Sequence, residues 1–146
     1  MRHHLILRVV TKLLVGTIIL FAFYVQFHGD FSPGGGFQAG VIMAVAFIIY
    51  GVVFSLRKAQ KVFPPWLVHK LVALGVLIYA GTGIVSLFLG YGYLDYGAFS
   101  PHHPEHGQHY GILIVELGVG ITVTGVMVAV YYAFAARPPR ISDEEW

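Results

Sequence analysis

The chain has 146 residues, of which 57% are hydrophobic and only 11% charged. A soluble domain carries about 25% charged residues, so this composition excludes an ordinary water-soluble fold and points to lipid. The absence of cysteine excludes disulfides, thiolate metal sites and cysteine nucleophiles, and a net charge of +2 is too small to recruit nucleic acid. The length allows a single membrane domain, 1–146.

The first apolar run, Leu5–Phe27, follows Arg2 and includes Arg8 and Lys12. Its uncharged part, Leu13 to Phe27, is too long for the apolar core of a secretory signal and ends without a small-x-small cleavage site, so a retained first helix is expected. The connection after it reads His28-Gly29-Asp30-Phe31-Ser32-Pro33-Gly34-Gly35-Gly36-Phe37. Each glycine would weaken a helix by about 1 kcal/mol, yet glycine permits positive φ and close backbone approach. An irregular, tightly packed entry to the second helix is therefore expected. Its amides could meet an acidic or anionic group. No strand precedes it and no Gly-Lys-Ser/Thr follows, so it is not a nucleotide-binding loop.

Three further runs are long enough to cross about 30 Å of hydrocarbon: Phe37–Leu56, Leu67–Leu89 and Tyr110–Ala136. Backbone in lipid must satisfy its own hydrogen bonds, so each is expected to be a helix. In the second run Gly40, Ala44 and Gly51 share a face with Phe47. Between the second and third lie Arg57, Lys58 and Lys61. His69 and Lys70 stand at the start of the third span. They read as a proton entrance, since histidine titrates near neutral pH, or as an interfacial anchor with Lys70 snorkelling. The anchor is the favoured reading. The third connection carries His102, His103, His106 and His109, a spacing that could ligate a metal on a regular helix. Pro101 and Pro104 oppose such a helix, so a solvated polar loop and no metal site are expected. Haem is not expected either, because no span has a histidine near its middle.

The fourth run repeats Gly111, Gly118 and Gly125 every seventh residue, with Thr122 and Ala129 in the same seam. Small residues at helical spacing mark close contacts between membrane helices. Glu116, the only acid within a span, falls on the other side with Gly120, Val123 and Met127. A carboxylate facing lipid would cost on the order of 2–3 kcal/mol. It is a candidate proton or cation relay; the alternative is a side chain that reaches interfacial water or bonds a neighbouring helix. One face of this helix thus asks for a close neighbour and the other for a polar partner. That demand argues for assembly with other membrane subunits.

All nine Lys and Arg lie at one face of this arrangement. The positive-inside rule puts that face, and both termini, in the cytoplasm. The expected fold is an all-α integral membrane protein, a four-transmembrane-helix bundle with N and C termini inside. Phe63 and Trp66 would mark its inner boundary, and Tyr91, Tyr93, Tyr96, Phe99 and Tyr110 an outer aromatic belt.

The stretch from His28 through Pro33-Gly34-Gly35-Gly36-Phe37 to Gly40 and Val41 resembles the hallmark of the small B subunit of Mrp-type cation/proton antiporters. The resemblance covers essentially the whole chain. It implies a membrane complex with subunits A, C, D, E, F and G that exchanges Na+ or another monovalent cation for protons. The proton gradient would drive it, supporting sodium and pH homeostasis. Related subunits occur in membrane-bound hydrogenases. Glu116 and the histidine-rich loop are not part of the matched pattern, so their roles rest on their own chemistry. The residues supply no catalytic constellation and call for no cofactor. The expected role is a wall, with one relay point, in an ion path shared with neighbours. A purely structural or assembly subunit and a homo-oligomeric transporter acting alone are the rival readings.

Overall fold

The computed structural model describes residues 5–29, 35–100 and 102–137. Its helices are α1 (Leu5–Phe27), α2 (Gly36–Phe54), α3 (Leu56–Val62), α4 (Pro65–Phe88) and α5 (Pro104–Ala135), with one 3₁₀ turn at Tyr96–Phe99. Four of them, all but α3, are long and apolar enough to cross a membrane. Among the described residues there is no strand.

Local chemistry sets the breaks. Ser55 has φ 108° and ψ 151°, which ends α2 and lets the short basic α3 leave at a new angle. Pro64 is extended and Pro65 occupies the first turn of α4, where its missing N–H is no loss. Gly90 closes that helix at φ 84°, with its amide bonded to Leu87 and that of Tyr91 to Ser86. Asp95 then caps the 3₁₀ turn by accepting from the Gly97 amide at 3.1 Å.

The connection expected to be a loop before Tyr110 is partly helix. α5 begins at Pro104, so His106 and His109 lie on its first turns. Proline at a first helical position needs no hydrogen bond, which is how this proline starts a helix rather than preventing one.

Packing follows small residues. α5 is central: α2 lies on one side of it, α4 on the other, and α1 packs on α2 at the edge of the row. Because α2 and α5 run in the same direction, Gly36 meets the Glu116 carbonyl and Gly40 meets that of Gly120. Ala44 is fully buried below them. Antiparallel α4 brings Gly75 onto Gly118 and Thr122, and Val68 and Val72 onto Gly125. Both faces of α5 are therefore covered within the chain. The demand for two neighbours, read from the sequence as a sign of other subunits, is met by α2 and α4.

A buried core cluster lies at the end bearing the basic residues. Ala44, Ala59, Phe63, Val68, Val128 and Tyr132 form one buried cluster. Phe47 and Phe63 stack at 4.5 Å, and the Tyr132 hydroxyl donates to the Phe63 carbonyl at 2.7 Å. Hydroxyls inside the spans bond their own helices: Thr11 to Leu7, Thr82 to Ile78, Thr122 to Gly118. That satisfies them without water. Peripheral α1 buries only Thr11, Ala22 and Gln26, which leaves most of its apolar surface for lipid or a neighbouring chain.

Candidate functional site

The site is assembled at the opposite end, where the glycine connection meets α5. Glu116 is half-buried there. Its carboxylate lies between Gly29 and Gly35: a β-carbon on Gly29 would overlap Oε2, and one on Gly35 would overlap Oε1. A β-carbon on Gly36 would strike the Glu116 backbone carbonyl. Gly35 has a second reason to be glycine, since its φ of 129° and ψ of −160° fall in a region that side chains disfavour. The loop thus yields space to one carboxylate on a helix far away in sequence.

Two features that the sequence presents separately, the glycine connection and the lone intramembrane acid, are one structure. Of the motif residues, Gly29, Gly35 and Gly36 form the cradle. His28 is half-buried and stacks on Tyr24 at 5.1 Å. Phe37 is exposed. Pro33 and Gly34 lie outside the described residues.

The other candidate, the His69–Lys70 pair, is not brought to this site. Both residues are exposed near the start of α4, and Lys70 Nζ sits 5.0 Å from the Trp66 ring centre. Neighbouring Val68 packs on Gly125, two and a half turns or about 13 Å from Glu116 along α5. The loop histidines spread over the exposed surface; His103 and His106 meet edge-on at 5.8 Å. Each of the six residues read as packing positions is at a close contact or fully buried. Gly51 faces the Tyr131 ring, Gly111 faces the Tyr96 ring, and Gly40, Gly118 and Gly125 meet helix backbone. Ala44 has no exposure.

Gly75 and Gln26 were not singled out by sequence, and Tyr96 was read only as part of an outer aromatic belt. Tyr96 folds its ring over Gly111 and its carbonyl over Gly107, fixing the start of α5 above Glu116. Burial, then the neighbouring Tyr79 and Tyr93, raises its phenol above the usual tyrosine value, so it stays neutral. Gln26 lies beside Gly120, one turn along α5 from Glu116, and is buried. A polar amide near the end of an otherwise apolar run was the signal available for it.

Four apolar helices and a carboxylate held in a glycine cradle define a multi-pass α-helical membrane protein. Residues 6–129 match the family model described as a domain related to the MnhB subunit of Na+/H+ antiporter. The chain belongs to this family. It is 36% identical over 132 residues to antiporter subunit mnhB2 of Staphylococcus haemolyticus, which covers 89% of this chain and 93% of that protein. The proteins of the same name in Staphylococcus epidermidis and Staphylococcus aureus are each 35% identical over 127 residues, with 86% and 89% covered.

Proposed function

We propose that the chain is the B-type membrane subunit of a multisubunit Na+/H+ antiporter. In this reading it sits in the cell membrane with both termini in the cytoplasm, beside subunits A, C, D, E, F and G. The complex exchanges Na+ for protons, is driven by the proton gradient and serves sodium and pH homeostasis. Family membership supports the complex, and the clustering of basic residues supports the orientation.

Within the complex, Glu116 is the relay point. The observation that carries this is the cradle: Gly29 and Gly35 both omit side chains where the carboxylate sits. An acid needed only for solubility would require no such accommodation, and ionisable groups within spans mark ion and proton paths by default. A carboxylate there can accept a proton or hold a cation and pass it on. His69 and Lys70 serve at the other end as an interfacial anchor, with Lys70 over Trp66.

Glu116→Gln keeps the shape that the cradle accepts and removes the charge. It is expected to reduce cation/proton exchange at least tenfold in membrane vesicles while the complex still co-purifies in normal amount. Normal exchange with normal assembly would sink the relay role and leave the purely structural subunit as the reading. Hydrogenase subunits travelling with the purified chain would move the same fold to a redox-driven machine.

A further inference from the structure

A groove of about 230 Å³ opens on one side of the helix row, with walls from all four spanning helices. Ala39, Met43 and Phe47 of α2, Leu117 and Ile121 of α5, and Leu71 of α4 make it almost wholly apolar. One polar side chain lines it, apart from the hydroxyl of Thr124. Gln26 is 6% exposed, and its Nε2 has no hydrogen-bond partner among the described residues. An amide nitrogen carries two donors, and in hydrocarbon an unsatisfied donor is strongly unfavourable.

Three kinds of occupant could bring an acceptor. Water is a poor fit: a bound water requires two to four polar partners and apolar cavities stay dry. The Thr124 hydroxyl proton is already shared between the Gly120 and Gly40 carbonyls at 2.7 and 3.2 Å, so that group has no proton to donate to an occupant. A partner helix, about 10 Å across, would lie over the groove and reach Gln26 only through a side chain. A single hydrocarbon chain matches the apolar lining along its length.

Depth selects the remaining chemistry. Gln26 is the penultimate residue of α1, whose 23 residues span about 34 Å against a hydrocarbon core of about 30 Å. Its amide, one turn inward of Glu116, lies just inside the hydrocarbon edge, within reach of the ester carbonyls of phospholipids. From there the groove leads inward past Ala39 and Met43 to the stacked rings of Phe47 and Phe63. We infer that the groove binds one acyl chain of a bilayer phospholipid, whose ester carbonyl accepts a hydrogen bond from Gln26 Nε2. The lipid fills the gap that the four helices leave and satisfies the buried amide one turn from Glu116. This goes beyond ion exchange and stands whether or not Glu116 is a relay.

The test uses the intact complex in vesicles doped with a phospholipid carrying a diazirine in its acyl chain, illuminated and analysed by peptide mass spectrometry. Adducts on Met43 and Leu117 are expected. Gln26→Met, which keeps the shape but removes the donor, should lower them several-fold relative to total lipid labelling of the complex. Should that variant fail to assemble, Met43→Trp fills the groove instead and should abolish the Leu117 adduct. Unchanged labelling in whichever variant assembles, or no adduct in the groove of the wild type, overturns the proposal. Because the chain has no cysteine, Met43→Cys gives it a single thiol, read by peptide mass spectrometry of this chain. Its cross-linking to another subunit, or its rapid modification by a charged water-soluble thiol reagent, would overturn the proposal in favour of a protein or water occupant.

Discussion

Gly35 carries two constraints at once, a positive φ and contact with the Glu116 carboxylate. Valine there would add backbone strain of about 1–3 kcal/mol and drive a branched side chain into the acid. Gly35→Val is expected to cut the amount of assembled complex, measured by co-purification; normal abundance with full exchange activity would show that the cradle is dispensable. Ser55 is the reverse case, a side-chain-bearing residue at φ 108° where only glycine is at ease. Relief of about 1–3 kcal/mol outweighs the roughly 1 kcal/mol lost to a freer unfolded chain. Ser55→Gly should therefore raise the thermal midpoint in detergent, and a lowered midpoint would mean that the hydroxyl contributes more than the strain. The importance of Glu116 and of the glycine run was legible in the sequence, because an acid in a span and glycines in a row each violate a local rule. Their contact was not, since no periodicity links residues so distant in the chain. Gln26 passed unnoticed because its neighbours made an unremarkable apolar run.

At the scale of elements, α5 is organised by two small-residue faces. Gly118 and Gly125 admit α4, while Gly120, with Gly36 and Gly40 opposite, admits α2. The chain closes the far end with the bond from Tyr132 to the Phe63 carbonyl, which ties α5 to the junction of α3 and α4. Tyr132→Phe leaves that buried carbonyl unsatisfied and should lower stability by about 1–3 kcal/mol, read as a drop in thermal midpoint with the helical content unchanged. No drop would mean that another donor reaches Phe63. Four apolar helices followed directly from run length and hydropathy. The helical start of α5 at Pro104 did not, because prolines argue against a helix interior but are at home in its first turn. Likewise α3 is too short to announce itself by periodicity, and its separation from α2 rests on the backbone angle of one serine.

The whole molecule is a row of helices with α1 at its edge, and its exposed apolar surface needs a bilayer or other membrane chains to cover it. Family membership supplies the argument for a complex that helix packing by itself does not. The proposed orientation has a direct check in this cysteine-free chain. On intact cells a membrane-impermeant maleimide should label Tyr91→Cys and leave Lys61→Cys unlabelled until the membrane is broken. The opposite pattern would invert the topology and place the Glu116 cradle at the cytoplasmic side.

Sequence by itself determined that this is a membrane protein, how many times it can cross, and that its basic residues gather at one face. Those properties are sums over local composition, and solvent transfer acts on each segment separately. Tertiary structure decided which helix faces which, because small residues permit close approach without naming the partner. It also decided that Gly29 and Gly35 enclose Glu116 and that Gln26 turns an unpaired amide into an apolar groove. Such contacts arise only when distant segments are brought together, and their energies depend on a geometry that no single segment contains.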